Sequence, residues 1–233
     1  MKCSEDADLT FVVDTSGSIS DENFKKQKDF IKVLASSFDP ILAEHQLGLI
    51  SYSNNAQVEV SFQEKADRKE FEQAVDLIPH TKGRTRLDKA LELASSRLFT
   101  ASGGTRSGKR KIMIVLTDGR QSQDPDTIPL KDAVLPLRQL GVRIYAVAIG
   151  NEVDLKELHQ VTERNEDVFP VSDFDDLANM ANDIALNTCR VKLPSQGILS
   201  SYRCYKERHA INYFSILIFF KKEDEKRAFH GEI

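Results

Sequence analysis

The chain has 233 residues, enough for one domain of doubly wound size, and its 40% hydrophobic and 29% charged residues are those of an ordinary soluble globular protein. Its 36 acidic and 32 basic residues leave a net charge of −4, which argues against generic nucleic-acid binding, as does the absence of a long basic stripe. No segment reaches the roughly 18 apolar residues of a membrane span; the longest candidate, Phe214 to Phe220, is far too short.

The first apolar run, Leu9 to Val13, reads as a buried strand. Directly after it comes Asp14-Thr15-Ser16-Gly17-Ser18, which puts one carboxylate and two hydroxyls on a tight loop. These are hard oxygen donors; they suit Mg²⁺, Mn²⁺ or Ca²⁺ and suit zinc poorly. Ser20 is placed to cap a helix with Asp21 and Glu22 in its first turn, and Phe24, Phe30, Ile31, Leu34 and Phe38 keep close to one face. Gln46 to Tyr52 is a second strand. Val58, Val60 and Phe62 alternate with polar residues, the pattern of a half-exposed antiparallel edge strand. Thr85 then opens a strongly periodic helix built on Leu87, Ala90, Leu91, Ala94 and Leu98. Ile112 to Leu116 is a third buried strand, and Thr117-Asp118-Gly119 follows it, repeating the arrangement of oxygens at a strand end. The spacing predicts a helix over Asp126 to Leu140, with Pro129 near its start, Pro136 forcing a kink or early end, and Gly141 as its stop. Val142 to Ile149 is a strand, Asp154 to Val161 a short helix, and Phe174, Leu177, Ala181 and Ile184 mark a last helix capped near Ser172 or Asp173.

Alternating strands and helices imply an α/β fold with right-handed crossovers and a mostly parallel sheet. In such sheets ligands bind outside the carboxyl ends of the strands, where Asp14 and Asp118 both fall. Taken singly, the hydroxyls are helix caps or turn formers and the two aspartates are Asx-turn residues; it is their joint placement that points to a cation. Catalytic readings fail. Asp14-Thr15-Ser16-Gly17 is interrupted by Ser16 as an aspartic-protease motif and has no second copy. Gly103 to Lys109 nearly matches a phosphate loop, but Arg110 stands where Ser or Thr must bind magnesium, and the loop precedes a strand where a phosphate loop follows one. His45, His80, His159, His209 and His230 are scattered and form no paired zinc signature. Arg84, Arg86 and Arg120 flank the oxygen-bearing residues; they are candidates for the rim of the site or for plain exposed loop charges.

Asp14-x-Ser16-x-Ser18, then Thr85, then Asp118 within Thr-Asp-Gly, resembles the metal-ion-dependent adhesion site of the von Willebrand factor type A family, which includes integrin I domains. The resemblance covers residues 3 to 189. It implies a doubly wound, Rossmann-like three-layer sandwich with a mostly parallel central sheet and one antiparallel edge strand. It implies a metal site of Asp14, Ser16, Ser18, Thr85 and Asp118 holding Mg²⁺ (or Mn²⁺ or Ca²⁺), and no enzymatic activity. If the two aspartates hold coordinating waters, the ligand shell is mostly neutral hydroxyls and the ion stays electrophilic. In the family an acidic side chain of a protein partner then completes the coordination. Gly17 and Gly119 let the loops approach the ion.

The resemblance also implies that Cys3 and Cys189 form the disulfide that ties the termini of many extracellular members. In the chain-entropy model, closing so long a loop contributes about 5 kcal/mol, less any strain. Such a bond needs an oxidising compartment, yet no apolar signal segment follows Met1-Lys2-Cys3. The chain is therefore expected to be one module of a secreted protein, or an incomplete sequence; two reduced cytosolic thiols are the alternative. Residues 190–233 carry nine basic and five acidic residues with little periodicity, and are expected to be a linker or tail. The expected partner is an extracellular-matrix or cell-surface protein, in the style of matrilins and non-fibrillar collagens. Alternatives are a matrix-assembly module that does not use its metal for ligand binding, and an intracellular scaffold for protein complexes.

Overall fold

A computed structural model describes residues 6–38, 45–64 and 66–188. Cys3, Cys189 and the whole 190–233 segment lie outside the described residues, and with them the expected disulfide and tail.

Six strands form one sheet in the order β3-β2-β1-β4-β5-β6: β1 (Ala7–Asp14), β2 (Gln46–Tyr52), β3 (Ala56–Val60), β4 (Arg110–Thr117), β5 (Val142–Ile149) and β6 (Val168–Val171). All neighbouring pairs are parallel except β2–β3, which is antiparallel at the edge, as the alternation of Val58 and Val60 implied. The fold is the expected doubly wound sandwich. Because side chains alternate across a strand, the central strands feed two cores at once. Leu9, Phe11 and Val13 of β1 and Ile112, Ile114 and Leu116 of β4 face one core. Helices α1 (Asp21–Ala35), α2 (Arg68–Leu77) and α7 (Leu177–Thr188) cover it with Phe30, Ile31, Leu34, Phe71, Val75 and Ile184. Val12 of β1 with Met113 and Val115 of β4 face the other core. That side is closed by α3 (Leu87–Leu93) and its π-turn continuation Ala94–Leu98, by α4 (Leu130–Ala133) and α5 (Leu135–Gln139), and by α6 (Leu155–Val161).

Several elements differ from those expected from the sequence. Helix α2 and strand β6 were not expected. Phe62 leaves β3 and enters a 3-10 turn, Phe62–Glu64, where it is fully buried against the second core. The helix expected over Asp126 to Leu140 begins only at Leu130 and divides at Val134, which leaves Pro136 in the first turn of α5, where its missing amide is tolerated. The Asp173 Oδ1 accepts from the Asp175 and Asp176 amides in the turn that leads into α7, a capping pattern near the place expected.

The glycine-rich 103–109 loop is a packing element. Gly104 has φ +91°, and a Cβ there would lie 2.4 Å from the Gln63 amide nitrogen; the Gln63 amide in turn donates to the Gly103 carbonyl at 3.2 Å. Arg106 and Lys109 are paired with Asp8 and Asp6, so neither basic group is left to a phosphate. We expect Gly104→Ala to destabilise the fold by roughly 2 kcal/mol, through left-handed strain and the clash, read as a lower urea midpoint. An unchanged midpoint would refute the packing role.

Candidate metal centre

The sheet topology decides where the candidate oxygens go. Strands β1 and β4 are adjacent and parallel, so the loops leaving their carboxyl ends emerge side by side at the chain crossover between β1's two neighbours. Asp14 ends β1 opposite Tyr52 of β2. Its carboxylate is fully buried: Oδ1 accepts from the Ser16 amide at 2.9 Å, and Oδ2 accepts from the Thr117 hydroxyl at 2.8 Å and the Tyr52 hydroxyl at 3.1 Å. Above it the side chains form a continuous string, with Ser16 Oγ 3.0 Å from Ser18 Oγ, and Ser18 Oγ donating to Asp118 Oδ1 at 2.8 Å. Thr85 arrives from the turn before α3. A Cβ on Gly119 would sit 3.6 Å from Thr85 Oγ1 and 3.9 Å from Ser18 Oγ, so the missing side chain of Gly119 leaves space between those two hydroxyls. All five candidate residues are therefore brought to one place.

The loop that carries Ser16 and Ser18 is held by its own backbone. Gly17 N donates to the Gly83 carbonyl at 2.9 Å, and Lys82 N donates to the Thr15 carbonyl at 2.9 Å. A Cβ on Gly17 would approach the Lys82 carbonyl oxygen to 3.3 Å, which is why the residue between the two serines is small. Gln27 of α1 donates to the Asp14 carbonyl at 3.1 Å, and the His80 ring spans Asp21 Oδ1 (2.7 Å) and the Ser16 carbonyl (3.2 Å) while stacking on Phe24.

Electrostatically the site is short of positive charge. Burial pushes the Asp14 carboxyl up to about 6, with hydrogen bonds from Ser16 and Thr117 opposing the shift and the like charge of Asp118 adding to it. Burial also raises Asp118, against a hydrogen bond from Ser18, and drives the Tyr52 phenol well above its ordinary value, with the Asp14 charge contributing. Other buried carboxylates of this fold have a guanidinium beside them: Asp8 has Arg106, Asp88 has Arg86, and Asp167 has Arg143. Among the described residues no Lys or Arg forms such a pair with Asp14 or Asp118. Nor do any three His, Cys, Asp or Glu side chains converge among them, so the donor set here is two carboxylates and three hydroxyls. Two carboxylates without a counter-charge, surrounded by hydroxyl oxygens, fit a hard divalent cation and not a soft one.

The profile of the von Willebrand factor type A domain matches residues 8–183. The chain belongs to that family. Among its relatives, the collagen alpha-6(VI) chain of Mus musculus is 32% identical over 183 residues, covering 78% of this chain and 8% of the collagen. Matrilin-1 of Gallus gallus is 32% identical over 184 residues, covering 78% of this chain and 36% of the matrilin. Integrin alpha-X of Homo sapiens is 31% identical over 190 residues, covering 77% and 16%. This type A chain thus spans well under half the length of those relatives. The fold is shared with proximal thread matrix protein 1 from the mussel byssus, with a TM-score of 0.75 at 23% identity over 81% of this chain and 49% of that one. One structure of that mussel protein is described as having a zinc-occupied MIDAS motif.

Arg86 is a correction. It is not on the rim but 3% exposed, forked onto Asp88 and reaching Asp126. Arg84 is exposed and paired with Asp124 at 2.7 Å, and Arg120 is exposed. Four residues that shape the candidate site were not expected: Tyr52, Thr117, Gln121 and Ser122. Thr117 sits inside the Thr-Asp-Gly motif and Tyr52 ends the strand beside β1, so both had a local signal. Gln121 and Ser122 had none.

Proposed function

We propose that this type A domain is a divalent-cation-dependent protein-binding module. Asp14, Ser16, Ser18, Thr85 and Asp118 hold Mg²⁺, Mn²⁺ or Ca²⁺, and an acidic side chain of a protein partner supplies the remaining coordination. The observation that carries this reading is that no Lys or Arg among the described residues forms an ion pair with Asp14 or Asp118, while hydroxyls converge above them. When bound, the cation supplies the charge that attracts a carboxylate. The chain's own residues fix where that carboxylate arrives: Ser16 and Ser18 are oriented by the Gly17–Gly83 backbone bond, and Asp118 by Ser18. If Asp14 and Asp118 act through coordinating waters, the direct donors would be the neutral hydroxyls of Ser16, Ser18 and Thr85, and the ion would keep charge for a partner's carboxylate.

The domain is proposed to run from 3 to 189, closed by a Cys3–Cys189 bridge, with 190–233 as a linker or tail. The relatives among collagens, matrilins and integrins support a setting in the extracellular matrix or at the cell surface. They equally support a binding role in place of an enzymatic one. The mussel structure with zinc at its MIDAS supports a divalent site, although hydroxyl and carboxylate oxygens favour harder ions here.

The test is retention of the full chain on a decellularised matrix surface in Mn²⁺ and in EDTA. We expect EDTA, and separately the Ser16→Ala/Ser18→Ala double variant, to lower retention at least tenfold. Retention indifferent to both would favour a matrix-assembly module whose surface, not its metal, makes the contact.

A further inference from the structure

We infer that Arg86, Asp88 and Gln121 are positioning residues, a buried clamp that locks the turn carrying Thr85 to the loop carrying Asp118 and thereby sets the affinity of the cation site. The inference rests on the reading of the five oxygens as a metal centre, and it concerns residues outside that set.

The three side chains are 3%, 1% and 7% exposed. Arg86 donates from Nε and Nη2 to the two oxygens of Asp88, at 2.9 and 2.8 Å. Its Nη1 reaches across to Asp126 Oδ1 at 2.7 Å and its Nη2 to the Asp126 carbonyl at 3.2 Å. Asp88 in turn accepts from Gln121 Nε2 at 2.5 Å and from the Ile128 amide at 3.1 Å. Gln121 Oε1 accepts from the Leu87 amide at 2.9 Å. Thr85 itself exchanges two bonds with the same loop: its amide donates to Ser122 Oγ at 3.0 Å, and the Ser122 amide donates to its carbonyl at 2.9 Å.

The helix start shows what the arrangement does. Arg86 occupies the N-cap of α3 and makes no side-chain cap bond there. The buried Leu87 amide, which has no partner within the helix, is instead satisfied by Gln121, three residues beyond Asp118. So the helix that follows Thr85 is capped by the loop that follows Asp118. Neither segment is anchored as drawn without the other. Loops ordinarily sit at the low end of local stability, and a site assembled from three of them loses affinity to the ordering each must undergo on binding. A network of buried charge-assisted bonds orders two of the three beforehand. Its fork geometry needs a guanidinium, which an ammonium cannot reproduce.

The experiment is Mn²⁺ titration calorimetry on the full chain, with folding verified by circular dichroism. Arg86→Lys keeps the charge and loses the fork; Gln121→Ala removes a neutral amide and leaves the ion pair, and decides the matter if Arg86→Lys fails to fold. We expect Mn²⁺ to bind at least tenfold more weakly in Arg86→Lys and at least fivefold more weakly in Gln121→Ala. In a Thr85→Ala background the Arg86→Lys loss should shrink at least threefold, because part of what the clamp positions is gone; a residue that merely stabilises the fold would not lose its effect there. Wild-type affinity in the folded variants, or an undiminished loss in the Thr85→Ala background, would overturn the clamp while leaving the metal reading intact. A folded wild-type chain that binds no Mn²⁺ would sink the metal reading, and the clamp with it.

Discussion

Asp14→Asn is expected to weaken divalent-cation binding at least a hundredfold, about 3 kcal/mol, and at the same time to make the cation-free protein harder to unfold at pH 7. The two effects have one origin. The Asp14 carboxylate is fully buried and is raised to about 6 by that burial, so holding it ionised at neutral pH costs free energy that only a counter-charge returns. Asn has nearly the same shape. Its oxygen still accepts from the Ser16 amide, and the Tyr52 and Thr117 hydroxyls can rotate to meet its amide hydrogens. What is lost is the negative charge, and with it the attraction for the cation. A variant that is at once more stable and inactive is the signature of a site held in a costly state for binding. Calorimetry with Mn²⁺ reads the first effect and a urea midpoint in EDTA reads the second. Retained affinity would remove Asp14 from the donor set; a lower midpoint would mean that Tyr52, Thr117 and the Ser16 amide already compensate the charge.

The candidate donors were legible in the sequence because each is local to an element that is itself legible. Asp14, Ser16 and Ser18 follow an uninterrupted apolar run, and Asp118 follows another, so strand ends and oxygens are read together. The parallel order of β1 and β4 then brings the two loops side by side without any further information. What escaped is of two kinds. Helix α2 buries only Phe71 and Val75. Two apolar side chains give a weak periodicity, although the reciprocal bonds of Asp67 and Glu70 are a start signal that the residues Asp67-x-x-Glu70 display. Strand β6 is four residues long with Pro170 in it, which lowers any strand signal, and it survives because it is an edge. The second kind is long-range polar pairing. Arg86 two residues from Asp88 reads as an exposed loop charge, and nothing local announces that Gln121 and Asp126 close over both. The same pairing explains why the expected helix starts late: Asp124, Asp126 and the Ile128 amide are engaged with Arg86 and Asp88, and only from Leu130 is the backbone free to coil.

The contribution of Asp14 to the stability of the cation-free protein should fall as pH rises from about 4 to about 7, opposite in sign to that of a paired carboxylate. For Asp14 the folded value of about 6 lies above the ordinary 3.8, so the folded state binds the proton more tightly than the unfolded one. Its contribution is fully present below 3.8 and is lost as pH rises through about 6; the span corresponds to roughly 3 kcal/mol. Asp118 is raised too and acts in the same direction. Exposed carboxylates such as Asp21 beside Lys82 and Asp126 beside Arg86 are lowered and act against it, so the wild-type curve alone mixes both signs. The difference between wild type and Asp14→Asn isolates the buried group: their urea midpoints in EDTA should converge near pH 4 and separate towards pH 7, with the variant the more stable. Saturating Mn²⁺ should close or reverse that separation, since the cation binds the ionised form, and Mn²⁺ affinity should fall about tenfold for each pH unit below 6. Curves that stay parallel across this range would show that Asp14 is ionised at no cost in the cation-free protein. The missing counter-charge would then have to be supplied by the protein itself, and the case for a cation at this sheet edge would rest on the hydroxyls alone.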